Sequence, residues 1–307
     1  MKKLFDTIII GGGPAGLNAA LVLGRCRRKV LVCDTGRYRN RTSQSLHCFM
    51  SRDGIAPQEL LSLTREQLRT YKSIEFTSSE VSRIEHRADG FVIETDAAPV
   101  HSRTVLVATG VVDELPDIEG ITDFFGRSVH VCPYCDGWEH RDAPVAAFGH
   151  SAEGVGLALL LRQWTQDLVL CTNGAETIGE TDMEKLRTGG ISLHTQKIAK
   201  LEGDDGCLQR IVFADGTSLP RRALFFNTGQ HPRSKLLENI GCRYGPKGVV
   251  CDEDGQTSIP GLYVAGDVSR DVQLAIVAAA EGARAALAIN RALLARSEVG
   301  QERGDQT

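Results

Sequence analysis

Short apolar runs alternate with longer helical segments along most of the chain. The run Thr7–Ile10 is apolar enough to predict a central parallel strand, and residues 14–25 have the pattern of a helix. The run Lys29–Asp34 predicts a second strand that ends in an acid. Two more strands are predicted at 91–95 and 104–109. A strand, a helix and a strand in this order are typical of a parallel α/β unit.

The same pattern begins again near residue 144. Residues 144–149 predict a strand, a helix follows to about Gln166, and Leu168–Cys171 predict another strand. Towards the end, Gly261–Val268 predict a strand and Ala275–Leu294 an alanine-rich helix. We therefore predict an α/β fold with two Rossmann-like dinucleotide-binding domains, the second inserted in the first. The predicted outer domain comprises residues 1–113 and 245–307, and the inner domain comprises residues 114–244.

Composition narrows the class of protein. With 307 residues, 42% of them hydrophobic, the chain can bury two cores, and its net charge of −4 gives no case for binding nucleic acid or an anionic membrane. Residues 1–6 lead directly into the first strand, and no apolar run has the length of a membrane span, so we expect neither a signal peptide nor a membrane-spanning helix. We expect a cytoplasmic protein in which most of the seven cysteines outside the Cys132–Cys135 pair are buried thiols.

The turn after the first strand has the spacing of a dinucleotide-binding site. Gly11 allows the tight turn, Gly13 lets the backbone approach a pyrophosphate, and Gly16 lets the helix pack close to the strand. Pro14 and Ala15 begin that helix, whose free N–H groups suit phosphate. A glycine turn without a ligand is the alternative, and the strand, helix and acid around the turn argue against it.

Acids follow two of the predicted strands. Asp34 is placed to accept hydrogen bonds from an adenosine ribose. Asp267, after Gly266, is placed to bind the ribityl and phosphate region of a flavin, and the helix that begins near Gln273 can direct its N-terminus at the flavin ring. This arrangement favours FAD over NAD in the outer domain.

The segment from Cys132 to Gly137 carries the candidate redox chemistry. Cys132 and Cys135 can close and reopen a small disulfide ring, and Asp136 can handle the proton that each step moves. Zinc is the alternative for the two thiols, but zinc requires four ligands and no second cysteine pair follows. A turn residue before Gly137 is the alternative for Asp136. Together with the glycine turn, the pair predicts that electrons pass between a flavin and a dithiol.

These motifs, with Ala108-Thr109-Gly110 and Ala265-Gly266-Asp267-Val268, resemble those of the low-molecular-weight thioredoxin reductases over nearly the whole chain. The resemblance implies FAD, a homodimer, Cys135 as the thiol nearest the flavin and Cys132 as the thiol that exchanges with substrate. Val272-Gln273 stands where those enzymes usually have Arg-Gln, so we expect Gln273 to touch the flavin and the arginine contact to be lost. We also assign to cofactor binding three residues: Asn40, Thr109 and Gly110.

Three further residues near these motifs are candidates. His47 falls where thioredoxin reductases place an asparagine near the flavin, so we include it as a catalytic base or hydrogen-bond partner, with a solvated loop histidine as the alternative. Cys48 is interpreted as a buried, inert thiol rather than a third redox thiol. His140 is interpreted as a surface residue rather than a base.

The second nucleotide-binding turn departs from the pattern. In the turn Gly149–Gly154, Ser151 replaces the glycine that lets a pyrophosphate approach. The strand that ends at Cys171 is followed by neither an acid for the NAD ribose nor an arginine cluster for the NADP 2′-phosphate. Each lost charge-assisted hydrogen bond costs about 1.5–3 kcal/mol, so we expect NADPH to bind weakly. A basic residue elsewhere, such as Arg162 or Lys185, is the alternative source of charge.

We predict an FAD-dependent thiol:disulfide oxidoreductase that oxidises dithiols with an acceptor other than NADP. Its substrate is expected to be a small molecule or a thioredoxin-like protein. The chain resembles a side branch of the family, which includes dithiol oxidases of natural products and the cyanobacterial diflavin-linked disulfide oxidoreductases, where a second FAD lies beside the first. A second FAD or another nucleotide is therefore expected in the inner domain. The alternatives are an NADPH-dependent thioredoxin or disulfide reductase and a non-catalytic flavin redox sensor.

Overall fold

The computed structural model describes residues 3–174, 178–246, 248–269 and 272–304, with side chains described as far as residue 296. In chain order the strands are β1 (Leu4–Ile10), β2 (Val30–Cys33), β3 (Ile74–Thr77), β4 (Val81–Arg87), β5 (Gly90–Thr95), β6 (Val100–Val107), β7 (Val111–Asp113), β8 (Val129–His130), β9 (Val145–Phe148), β10 (Leu168–Cys171), β11 (Ser192–His194), β12 (Ile198–Asp204), β13 (Cys207–Phe213), β14 (Ser218–Pro220), β15 (Ala223–Phe226), β16 (Gln230–Pro232), β17 (Tyr244–Gly245), β18 (Gly248–Val249) and β19 (Leu262–Val264). The helices are α1 (Pro14–Arg25), α2 (Pro57–Leu68), α3 (Ile121–Phe124), α4 (Pro133–Asp136), α5 (Ser151–Leu161), α6 (Glu180–Thr188), α7 (Leu236–Asn239) and α8 (Ala275–Gly304).

The outer sheet has seven strands in the order β3-β2-β1-β6-β5-β4, with β19 paired to β6. The first glycine turn follows the carboxyl end of β1. β1 runs parallel to both of its neighbours, so Thr7 lies between Val30 and Thr104. The two threonine hydroxyls satisfy each other at 2.9 Å, which lets polar side chains remain in this buried position. Apolar side chains cover both faces of β1, and the prediction of a central parallel strand is confirmed.

The inner sheet repeats this design with five parallel strands in the order β11-β10-β9-β15-β8. Its first four strands have the same spatial order as β3-β2-β1-β6 of the outer sheet, with a helix after the first strand of each unit. Two Rossmann-like units in one chain are therefore present, and the predicted fold class is confirmed.

Two short strands join the sheets where the chain crosses between them. β7, on the outward crossing, pairs antiparallel with β16, on the return. Leu236, Leu237 and Cys242, which follow β16, pack in the same apolar cluster as Phe5 and Ile8 of β1. We propose on this packing that the outer domain resumes after β16 rather than at residue 245.

Two predicted helices have different ends in the structure. α5 ends at Leu161, five residues before the predicted end, because the next residues turn inward. Thr165 is 3% exposed and its hydroxyl donates to the carbonyl of Ala143, while the Arg162 guanidinium donates to the carbonyl of Gln166. α8 continues ten residues beyond Leu294, because the segment that follows is polar but rich in helix-forming residues.

Over the part of the chain that the structure describes, no helix combines the length and the apolarity needed to cross a bilayer.

Candidate active site

One cavity of about 880 Å³ brings together the glycine turn of the outer sheet and the cysteine pair of the inner part. Its volume lies within the range of roughly 300–1,000 Å³ that is usual for ligand sites. Of the residues predicted from the sequence, the cavity is lined by Gly11, Gly13, Pro14, Ala15, Asp34, Asn40, His47, Thr109, Gly110, Cys132, Cys135, Asp136, Gly266, Asp267 and Gln273. Among the residues predicted to bind the cofactor, Gly16 is not in the lining.

Gly11, Gly13 and Gly16 each have a different steric role in the first turn. Gly11 has a φ of 110°, and a Cβ there would collide with the carbonyl oxygen of Ala108. A Cβ at Gly16 would collide with the carbonyl oxygen of Gly11, so Gly16 lets α1 pack close to β1 from behind the cavity. At Gly13 a Cβ would meet nothing within 4 Å. The backbone at Gly13 thus faces open space, as the approach of a pyrophosphate requires.

Asp34 is held in place by two neighbours that the sequence did not indicate. Its Oδ2 forms an ion pair with Arg65 and accepts a hydrogen bond from the Tyr38 hydroxyl at 2.5 Å. Burial and the Asp34 carboxylate raise the pKa of Tyr38 to about 12, so Tyr38 remains a donor. Asp34 Oδ1 accepts from the Gly36 N–H, and a carboxylate oxygen has room for a further donor such as a ribose hydroxyl.

Arg39 connects three segments that are distant in the sequence. Its guanidinium donates to both carboxylate oxygens of Asp113, at 2.8 and 2.5 Å. Its Nη1 also donates to Asp267 at 2.9 Å and to Gln273 Oε1 at 2.6 Å. Burial disfavours the charged guanidinium and by itself would lower the pKa of Arg39. The hydrogen bonds and negative charges of the two aspartates outweigh this effect, and the pKa of Arg39 is raised. Arg39 therefore holds the carboxylates of Asp113 and Asp267, two of the acids that line the cavity.

The residues at the start of α8 fit a flavin. The Gln273 Nε2 is buried and has no hydrogen-bond partner among the residues that the structure describes, so a ligand acceptor in the cavity would satisfy it. Val272 is 54% exposed. The arginine that thioredoxin reductases carry at this position is absent, yet a guanidinium reaches Gln273 from Arg39. The unpartnered donor of Gln273 and the open backbone at Gly13 both suit FAD.

We expect Arg39→Met to weaken both the fold and FAD retention. The side chains of Asp113 and Asp267 are 6% and 18% exposed, and the change leaves two acids without their cation. Removing one partner of such a pair costs about 3 kcal/mol, the lower end of the usual range. The urea midpoint and the FAD retained after gel filtration measure the two effects. Arg87→Met, which removes an exposed guanidinium paired with Glu85, is the control; unchanged values in Arg39→Met would contradict this account.

Cys132 and Cys135 are joined by a disulfide bond. Cys132 caps the short helix α4, and the Cys135 N–H donates to its sulfur at 3.2 Å. Asp136 follows on the same turn, and its side chain is 23% exposed. Since all three residues line the cavity of the glycine turn, the disulfide and a carboxylate face the cofactor region together. In the described ranges no cluster of three or more His, Cys, Asp or Glu side chains could hold a metal ion.

His47 and Cys48 lie in a loop that reaches the cysteine pair. The His47 ring is held between Asp53, 3.4 Å from Nδ1, and Glu139, 3.5 Å from Nε2, and its side chain is 18% exposed. His47 is thus part of the cavity wall, and its role as a base stays a prediction. Cys48 is exposed, and its sulfur donates to the carbonyl of Tyr134 at 3.4 Å. The prediction that Cys48 is buried was wrong.

Two histidines extend the site behind Asp136. The His130 Nδ1 lies 3.3 Å from Asp136 Oδ1, and its Nε2 lies 2.9 Å from the Nε2 of His140. His140 is half-buried, so its prediction as a surface residue was wrong. His130 ends β8 and was not identified from the sequence. Because it is an isolated histidine after an apolar residue, nothing in its local pattern marks it as part of a site.

The inner turn has the shape of a nucleotide turn without its usual charges. Gly149 and Gly154 approach so closely that a Cβ at Gly154 would lie 2.6 Å from the Gly149 carbonyl carbon. Ser151 has a φ of 54°, a conformation that glycine adopts more readily. Arg162 binds backbone carbonyls at the far end of α5, and Lys185 pairs with Asp182 at 2.7 Å, so neither suggested substitute is free. Residues 175 and 176, which complete the segment after β10, lie outside the described residues.

The chain is similar to known proteins over most of its length. Residues 5–282 match the family of the pyridine nucleotide-disulphide oxidoreductases. The chain is 33% identical to the thioredoxin reductase tcpT of Claviceps purpurea, with 87% of each protein covered. Among solved structures, HlmI superposes with a TM-score of 0.95 at 35% identity, over 99% of this chain and 98% of that one. An oxidoreductase from Agrobacterium tumefaciens superposes with a TM-score of 0.88 at 33% identity, over 96% and 99% of the two chains.

Proposed function

Because the chain belongs to the pyridine nucleotide-disulphide oxidoreductases, as a thioredoxin reductase-like, FAD-binding disulfide oxidoreductase, we propose that it oxidises dithiols through Cys132 and Cys135. The observation that carries this proposal is the shared cavity. The disulfide and Asp136 line the same space as the glycine turn, Asp267 and Gln273. A flavin bound by these residues would share the cavity with the cysteine pair.

The residues of this chain account for the binding of FAD. Gly13 and the N-terminus of α1 would receive the pyrophosphate, Asp34 would receive the adenosine ribose, and Asp267 and Gln273 would hold the flavin end. When bound, FAD accepts the two electrons that the cysteine pair collects from the substrate.

The cysteine pair exchanges with substrate in two steps. A substrate thiolate attacks Cys132, the Cys132–Cys135 bond breaks, and Cys135 leaves as a thiolate. The second substrate thiolate then attacks the mixed disulfide, so the substrate disulfide forms and Cys132 leaves as a thiolate. Asp136 lies beside Cys135 in the chain and acts as the acid and base for these protons. The choice of Cys132 as the attacked sulfur follows the family resemblance.

We propose the oxidising direction because the inner turn is poorly suited to NADPH. Ser151 stands where glycine is favoured, and the two basic residues that might replace the missing arginines are bound elsewhere. The acceptor is therefore a species other than NADP. The direction is tested by comparing reductants. We expect a dithiol to bleach the flavin rapidly and NADPH to bleach it poorly.

We further propose that another nucleotide, a second FAD, occupies the inner turn. The turn retains the close contact of Gly149 and Gly154, and the N-cap residue His150 leaves the first N–H groups of α5 without a side-chain cap. We expect two flavins per chain when pure protein is denatured and the released flavin is quantified against protein concentration. One flavin per chain would contradict the second FAD and leave the dithiol chemistry unaffected.

The rim of the disulfide indicates the substrate class. Tyr134 and Trp138 are 60% and 63% exposed beside the cysteine pair, so the approach is apolar and aromatic. Such a rim suits an apolar dithiol or the exposed dithiol loop of a thioredoxin-like protein. The homodimer implied by the resemblance stays a prediction.

A further inference from the structure

A row of three titratable side chains leads away from the disulfide into the inner part. Asp136 is the residue after Cys135, and its Oδ1 lies 3.3 Å from His130 Nδ1. The Nε2 atoms of His130 and His140 are 2.9 Å apart. His130 is 5% exposed, whereas His140 is half-buried. The row therefore begins at the cavity, passes through a buried ring and ends at a more accessible one.

The contact between the two rings fixes their protons. Two imidazole nitrogens at 2.9 Å form a hydrogen bond only if one carries a proton and the other does not. In one tautomer His130 carries its proton on Nδ1 and donates a hydrogen bond to Asp136. The Nε2 of His130 then accepts a hydrogen bond from the Nε2–H of His140. In the other tautomer His130 donates from Nε2 and can accept a proton from Asp136 at Nδ1. Passing from one tautomer to the other moves one proton along each of the two contacts, and His140 exchanges a further proton at its Nδ1.

The surroundings of His140 disfavour its charged form. The Phe225 ring packs against both histidines, with ring centroids 5.2 Å from His130 and 6.0 Å from His140. Burial, and then the proximity of His130, lower the pKa of His140 to about 4, while Asp136 acts in the opposite sense. The sequence neighbours of His140 face other groups, since Glu139 lies 3.5 Å from His47 and Arg141 lies over the Trp138 ring. The His140 ring is therefore a neutral imidazole near pH 7, and it releases any second proton that it receives.

We propose that Asp136, His130 and His140 form a proton relay between the Cys132–Cys135 dithiol and solvent. The relay rests on the proposed function. When the reduced pair closes, the S–S bond forms, two S–H bonds break, and two electrons and one proton leave for the bound flavin. The second proton passes to Asp136 and then to His130 Nδ1. The Nε2 proton of His130 moves to His140, which releases a proton to solvent. The two histidines act through Asp136 and do not touch the reacting sulfurs.

His140→Gln tests the relay, because glutamine retains a hydrogen-bonding side chain and cannot carry the proton. The variant is mixed anaerobically with dithiothreitol, flavin absorbance is followed, and free thiols at Cys132 and Cys135 are counted by alkylation and mass spectrometry. We expect the pair to be reduced as in the parent and flavin bleaching to slow about 10²-fold near neutral pH. The difference in bleaching rate between His140→Gln and the parent should decrease at alkaline pH, where hydroxide removes the proton directly. Added imidazole should restore the rate of the variant.

Two controls separate a relay from a structural role. His86→Gln changes an exposed histidine on β4 and should leave rate and pH profile unchanged. His130→Gln should reproduce the defect if it folds with full FAD. In the parent, imidazole ¹⁵N resonances should show His140 neutral at pH 7. A His140→Gln rate equal to the parent's, or a slower rate with the parent's pH profile and no rescue, would overturn the relay. A parent whose pair dithiothreitol cannot reduce would instead overturn the proposed function.

Discussion

Cys135→Ser is expected to retain FAD and to lose flavin reduction by dithiols. The cysteine pair is the link between substrate and the flavin cavity, and the variant cannot collect two electrons as a dithiol. The hydroxyl is nearly the same size as the thiol, so the α4 turn and the rest of the cavity should be unaffected. Anaerobic stopped-flow absorbance with dithiothreitol measures the loss, and protein-bound FAD is quantified in the same sample.

Two further variants complete this test, Cys132→Ser and a control at a cysteine outside the pair. Cys132→Ser leaves one thiol facing the cavity, and we expect a new absorbance band at longer wavelength than that of the flavin itself. Cys207→Ser, at an exposed free cysteine on β13, should behave as the parent does. Turnover of dithiols by both variants of the pair at the parent's rate would show that the redox assignment is wrong.

Asp136→Asn should slow exchange between dithiol and flavin by roughly 10²–10⁴-fold, the usual effect of removing an acid and base. Asparagine preserves the size of the side chain and can still bond to His130, so the fold and FAD content should not change. Single-turnover rates measured by flavin absorbance give the effect. Asp142→Asn is the matched control, because Asp142 lies in a turn with a φ of 60° that asparagine also tolerates. A rate for Asp136→Asn close to the parent's would remove Asp136 from the mechanism.

The elements that the sequence predicts well are those governed by local patterns. The turn from Gly11 to Gly16 is set by glycine spacing between an apolar strand and a helix, and the structure has α1 over the predicted residues 14–25. The disulfide follows from the spacing of Cys132 and Cys135. These features depend on neighbours only a few residues away, so a single sequence is sufficient to find them.

The residues that the sequence missed depend on contacts between distant segments. Arg39 lies in a loop without periodicity, and its partners Asp113 and Asp267 are 74 and 228 positions away. His130 reaches His140 only because the chain turns through α4 between them. Burial of Cys48 was predicted from the usual behaviour of free cysteines. In the structure Cys48 is exposed, and its sulfur contacts the carbonyl of Tyr134. Tertiary packing decides each of these cases.

The central claim is that electrons enter the flavin from a dithiol through Cys132 and Cys135. An anaerobic titration of flavin absorbance with dithiothreitol, NADPH and NADH in parallel tests this claim most directly. We expect dithiothreitol to bleach the flavin rapidly and in proportion to the dithiol added, and NADPH to act poorly even at millimolar concentration. Rapid bleaching by NADPH that saturates at micromolar concentration, with little effect of the dithiol, would contradict the claim and identify an NADPH-dependent reductase.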